Sequence, residues 1–240
     1  MKIAGKTDKG FRRADNQDRY IAGALANGVC FGFVCDGMGG ANGGSVASGQ
    51  LCKILEECLF MHNDNRAMDP ERTVLDAIDT ACSSIYHQSN NDIRLRGMGT
   101  TISGVTVKGK TCVTYNAGDS RVYVFRSGEL TQITEDHSVV QQLYRQGAIT
   151  KEEMYTHPQK NLITRAVGVR SDVETDISEL ELQEGDRILC ASDGLTNYVS
   201  ENKLAEILSD ENFYDIPAKL IEKALANNAS DNITAVVLEF

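Results

Sequence analysis

The chain has 240 residues, 41% of them hydrophobic and 24% charged, which suits one folded domain with a substantial core and excludes a disordered chain. Its net charge of −10 argues against a nucleic-acid surface and against anionic membranes. No apolar run approaches the ~20 residues that span a bilayer. Met1–Lys6 shows no signal-peptide core, so the expected location is cytoplasmic.

Short extended segments are predicted near Ile3–Gly5, Arg19–Ala24 and Val29–Cys35. Past a glycine-rich stretch, Ala47, Leu51, Ile54, Leu55, Cys58 and Leu59 recur at helical spacing. Val74, Ile78, Ala81 and Ile85 do the same behind Pro70, which suits a first helical turn. Thr100–Val107 and Thr111–Asn116 flank Lys108-Gly109-Lys110 as a hairpin, and Arg121–Phe125 with Leu130–Ile133 flank Ser127-Gly128 as another. Helices are predicted over Val139–Gln146 and from the capping box Thr150–Glu153. Strands follow near Thr175–Ser178 and Arg187–Ala191, helices near Glu201–Leu208 and Pro217–Ala226, and a last strand at Asn232–Leu238. This order lacks the strand–helix alternation of a doubly wound sheet. An α+β fold is expected, with two facing antiparallel sheets and helices outside.

Two apolar runs end on the same dipeptide. Phe31–Cys35 leads into Asp36-Gly37, and Ile188–Ser192 leads into Asp193-Gly194. A carboxylate at the exit of a buried strand needs a partner. Asp119 and Asp231 stand in similar turns, and Asp18 in Asn16-Gln17-Asp18 is a fifth candidate. Oxygen donors without His or Cys select hard cations: magnesium, manganese or calcium. The seven cysteines are odd in number, form no Cys-x-x-Cys pair and sit mostly in apolar patterns. They read as buried hydrophobes, with neither disulfides nor a zinc-thiolate site expected. The four histidines are scattered. No Gly-x-x-x-x-Gly-Lys-[Ser/Thr] loop is present, which argues against a nucleoside triphosphatase.

Taken in order, the motifs resemble those of the metal-dependent serine/threonine protein phosphatases of type 2C, in their compact bacterial form. The resemblance runs from Thr7–Asp18 through Asp36-Gly37-Met38-Gly39-Gly40 with Gly44 and Ala47-Ser48, then Gly99-Thr100-Thr101 and Gly118-Asp119-Ser120-Arg121. It continues with Asp136-His137-Ser138, Thr164-Arg165-Ala166, Ser192-Asp193-Gly194-Leu195 and Asp231-Asn232-Ile233-Thr234. It covers nearly the whole chain and implies one catalytic domain over 1–240.

The resemblance implies a four-layer αββα sandwich and a centre holding two Mn2+ or Mg2+ ions plus a weaker third. Asp36 would bridge two ions, with the Gly37 carbonyl on one of them. Asp193 and Asp231 would complete the second ion, and Asp119 with Asp193 would hold the third. Asp18 would hold metal-bound water, and Arg13 would grip the substrate phosphate. A metal pair activates water for direct attack, so no Cys or His nucleophile is needed. Where some relatives carry a histidine proposed as general acid, this chain has Met38, which donates no proton. Residues 137–159 match the flap beside the active site, expected to be mobile and to influence substrate choice. Phosphorylated proteins, a Ser/Thr kinase and its targets among them, are the implied partners. The main rival is a catalytically silent module of the same fold that binds phosphoproteins. A calcium-stabilised binding domain is disfavoured by the lack of an Asp-x-Asp-x-Asp-Gly loop.

Overall fold

The structure is a computed structural model that describes residues 1–240, except for the side chains of Gly40, Ala41 and Asn42. Gly40, which closes the Asp36–Gly40 motif, therefore lies outside the described side chains. Strands β1 (Lys2–Asp8), β2 (Asp18–Ala24) and β3 (Val29–Met38) come first, followed by helices α1 (Gly40–Met61) and α2 (Pro70–Asn91). Next are β4 (Gly99–Thr100), β5 (Ile102–Lys108), β6 (Thr111–Ala117), β7 (Arg121–Arg126) and β8 (Glu129–Gln132). The chain continues through α3 (Val139–Arg145), α4 (Lys151–Met154), β9 (Asp176–Glu181), β10 (Arg187–Ala191) and α5 (Asp193–Thr196). It ends with α6 (Glu201–Leu208), α7 (Ile216–Ala226) and β11 (Ile233–Glu239).

The strands form two antiparallel sheets. One has the order β1-β11-β10-β7-β8, and the other β2-β3-β5-β6-β9 with β4 added beside β3. Side chains alternate across each strand and supply different layers. On β10, Ile188 and Cys190 face the other sheet, while Leu189 and Ala191 face the helices. Val34, Val105, Val122 and Val236 share the layer between the sheets. Leu51, Leu55, Ile78 and Ile85 of α1 and α2 cover Phe31, Phe33 and Tyr115 on the outer face of the second sheet. Leu204, Leu208, Leu220 and Ile221 of α6 and α7 cover the outer face of the first. The expected four layers are present.

Local chemistry starts the helices where the sequence marks them. The Asp69 side chain accepts from the backbone of Glu71 and Arg72 ahead of α2, and Thr150 with Glu153 closes the capping box of α4. The strand expected over Thr100–Val107 is split into β4 and β5, and three further elements near the cleft differ from expectation. β3 runs on to Met38 rather than stopping at Cys35, because Gly37 and Met38 pair with β4. α1 starts at Gly40, so the glycine-rich stretch is helical. Asp193 opens a helical turn, α5, that its short apolar pattern did not show. Among the described residues, no helix is long and apolar enough to cross a membrane.

Candidate active site

The structure brings the predicted residues together at one end of the sandwich. Arg13, Asp36, Gly37, Asp119, Asp193 and Asp231 line one open cleft of about 450 Å³, and Met38 lines it too. Asp18 is fully buried beneath the cleft, opposite Asp36 in the β2–β3 register.

Hydrogen bonds from neighbouring strands and turns fix the acidic residues. The Asp36 N–H donates to Thr101 Oγ1 at 3.0 Å, and its carbonyl accepts from the Thr101 N–H and the Thr100 hydroxyl. Gly37 is required by close approach: a Cβ there would lie 2.1 Å from the Gly44 carbonyl oxygen and 2.6 Å from that of Gln17. Asp18 Oδ2 accepts from Ser192 Oγ at 2.7 Å and from Thr234 Oγ1 at 2.6 Å, which ties β2 of one sheet to β10 and β11 of the other. Ser192 therefore spends its hydroxyl on Asp18, and α5 has no side-chain cap. Asn232 accepts from the Gln17 N–H and donates to the Lys9 and Asp15 carbonyls, pinning the N-terminal loop that carries Arg13. Arg13 itself rests on Asp231 at 2.6 Å, with half of its side chain exposed.

The electrostatics set the cleft apart. Burial, then repulsion from Asp18, Asp193, Asp119 and Asp231, pushes Asp36 well above the usual carboxylate range. Burial, then Asp231 and Asp18, raises Asp193 to about 7. Burial, with repulsion from Asp231, outweighs the Thr234 and Ser192 hydroxyls and lifts Asp18 to about 6. Asp119 is raised by burial and then by Asp193.

These residues fit hard cations. The donors are all oxygen, and Asp18 Oδ1 and Asp193 Oδ1 are buried without a hydrogen-bond partner. Among the described residues, no three carboxylate, imidazole or thiol groups form a ready-made cage. Magnesium and manganese keep several waters and take few carboxylates each, so a spread set of donors suits them better than a closed one. Sequence reasoning gave Asp36, Asp119, Asp193, Asp231, Asp18, Gly37 and Arg13 a place in the site. It gave no job to Thr101, Ser192, Asn232 or Thr234, although all four stand inside the motif blocks. Their signal was a polar residue within three positions of a motif aspartate or glycine, in or beside an otherwise apolar strand.

The family profile described as Protein phosphatase 2C matches residues 12–233. The serine/threonine protein phosphatase PstP of Mycobacterium tuberculosis is 37% identical over 239 residues, 100% of this chain and 45% of that protein. Its crystal structure has a TM-score of 0.90 at 36% identity, covering 100% of this chain and 98% of that one. The serine/threonine phosphatase stp of Listeria monocytogenes is 35% identical over 236 residues, 98% of this chain and 94% of that protein. The chain thus spans about half the length of the mycobacterial relative and nearly all of the listerial one. A catalytic domain of PstP in complex with two manganese ions has a TM-score of 0.87 at 35% identity, covering 99% of this chain and 97% of that one.

Proposed function

Because the chain belongs to the protein phosphatase 2C family, we propose that it hydrolyses phosphoserine and phosphothreonine esters of proteins, with 1–240 as one catalytic domain. One observation carries this reading. Carboxylates from well-separated segments crowd one cleft and raise one another's pKa, with an arginine at its edge. Such a cluster calls for cations from outside the chain.

Asp36, Gly37, Asp193 and Asp231 would hold two Mn2+ or Mg2+ ions, and Asp119 with Asp193 a weaker third. The bound ions supply an activated water and neutralise an incoming phosphate dianion. Asp18 lies behind them, its free Oδ1 able to accept from water. Arg13 is exposed enough to leave Asp231, hold two phosphate oxygens and orient phosphorus for in-line attack. Met38 has no acidic proton to donate, so the leaving oxygen is protonated from another source. The retained acidic set and Arg13 favour turnover over a catalytically silent module.

The flap forms one wall of a second cavity of about 290 Å³, through Val140, Tyr144, Met154 and Tyr155, and Asp119 and Asp193 line that cavity as well as the cleft. We take this wall to move and to select the substrate residues that flank the phosphorylated one. Phosphoproteins are the partners, a Ser/Thr kinase and its targets among them. The seven free thiols support a reducing compartment, the cytoplasm.

Hydrolysis of p-nitrophenyl phosphate and of a phosphothreonine peptide, with manganese and then with chelator, tests the reading. Manganese-dependent release of phosphate from both is expected. No such turnover with either would overturn the enzyme reading. Replacing the flap should change phosphopeptide preference and spare p-nitrophenyl phosphate; unchanged preference would remove its assigned role.

A further inference from the structure

The motif Asp136-His137-Ser138 does not line the cleft, yet His137 is buried at the root of the flap. Its backbone N–H donates to the Gly118 carbonyl at 2.8 Å, and its Nδ1 accepts from the Gly118 N–H at 3.2 Å. One histidine therefore satisfies both backbone polar groups of the residue that precedes Asp119. Gly118 has φ +128°, and a Cβ there would lie 2.6 Å from the Cβ of Thr101. With no side chain to anchor it, this turn is oriented by its backbone hydrogen bonds.

Acceptance at Nδ1 assigns the ring proton to Nε2. That nitrogen faces Asp176 Oδ2 at 3.0 Å. The Arg165 guanidinium lies 3.2 Å from it and donates to Asp176 Oδ1 at 2.6 Å. The ring is thus held on both edges: Gly118 on one, and on the other Asp176, which Arg165 holds in turn. The His137 carbonyl also accepts from the Thr164 N–H at 2.7 Å, where the flap returns.

We propose that His137 is a positioning residue for the weakest divalent-cation site, setting Asp119 through the Nδ1–Gly118 hydrogen bond. This rests on the reading of Asp119 as a ligand of that site. A side-chain amide at this position can imitate one ring nitrogen or the other. Asparagine places an acceptor near Nδ1, while glutamine reaches toward Nε2 and leaves the Gly118 N–H without a partner.

Manganese binding followed by isothermal titration calorimetry tests the proposal without turnover. His137→Gln should raise the dissociation constant of the weakest site about tenfold, the scale of outer-sphere effects on metal affinity, and leave the tighter sites unchanged. His137→Asn should stay within about twofold of the parent, because it restores the acceptor. An unchanged weakest site in His137→Gln, or an equal loss in both variants, overturns the proposal. Asp176→Asn, at a half-exposed position, loosens the far edge of the ring and should weaken the same site by about threefold. If His137→Gln fails to fold, an unchanged isotherm for Asp176→Asn overturns the proposal in its place. Asp119→Asn separates the two readings. If every manganese site survives that change, the ligand reading fails. If only Asp119→Asn loses the weakest site, the role of His137 fails alone.

Discussion

The two ends of the sandwich treat their carboxylates in opposite ways. At the end away from the cleft, Asp186 accepts from Arg126 Nε at 2.8 Å and from the Gln183 N–H, and Glu239 accepts from Arg187 and Lys2. Burial pushes both acids up, but these donors outweigh it and hold both below their ordinary values. At the cleft end, Asp36, Asp119 and Asp193 are all pushed up, by burial and by one another. β10 links the two regimes, with Asp186 just before it and Asp193 just after it. The far end is neutralised by the chain itself, and the cleft is left for a cation that the chain does not supply. Stability is given up where chemistry is placed.

The largest expected effect breaks the cleft side. Asp193→Ala and Asp231→Ala should each cut manganese-dependent turnover by roughly 10³-fold, since each removes a proposed ligand and its charge. Phosphate release near the parent rate in either variant would refute the ligand assignment.

Conservative amides sharpen the comparison through stability. Asp186→Asn leaves Arg126 facing a neutral group at a buried position and should cost about 2 kcal/mol, discounted because Arg126 is a third exposed. Asp193→Asn, measured with chelator, should stabilise the metal-free protein by about 1 kcal/mol, because it relieves like-charge repulsion. Urea midpoints moving in the same direction for both variants would show that the two ends do not differ as described. A smaller effect is expected at Arg13, whose carboxylate contact lies at the exposed edge of the cleft. Arg13→Ala should raise KM for a phosphopeptide about tenfold with a lesser change in kcat. An unchanged KM would remove its phosphate-binding role.

Much of this contrast was legible in the sequence at the cleft and little of it at the far end. Apolar alternation in Phe31–Cys35 and Ile188–Ala191 reports which strands are buried, and Asp-Gly after such runs stands out. The sequence does not report which distant groups complete the hydrogen bonding. Ser192 and Thr234 meet Asp18 from 174 and 216 positions away, and Asp186 meets Arg126 across 60. Local pattern also misplaced the end of β3 near Gly37 and missed the helical turn opened by Asp193. Pairing of Gly37 with β4 prolongs β3, and a single turn such as α5 carries too few residues to show a period. His137 was visible only as a motif member, because its work is done on the backbone of Gly118.

The smallest effect is the pH dependence of the far end. Asp186 and Glu239 titrate below their ordinary values when folded, so the unfolded chain binds more protons in the window between the two states. Stability therefore rises with pH across that window. Their contribution is complete above the unfolded values of about 3.9 and 4.3, and is lost as pH falls through the folded ones. Urea unfolding with chelator at pH 5, 4 and 3 should show the parent losing stability more steeply than Asp186→Asn, which has no charge to lose at that position. The difference between the two slopes isolates Asp186, because the cleft acids titrate alike in both proteins. Parallel slopes would mean that the Arg126 pair contributes nothing to the stability of the far end.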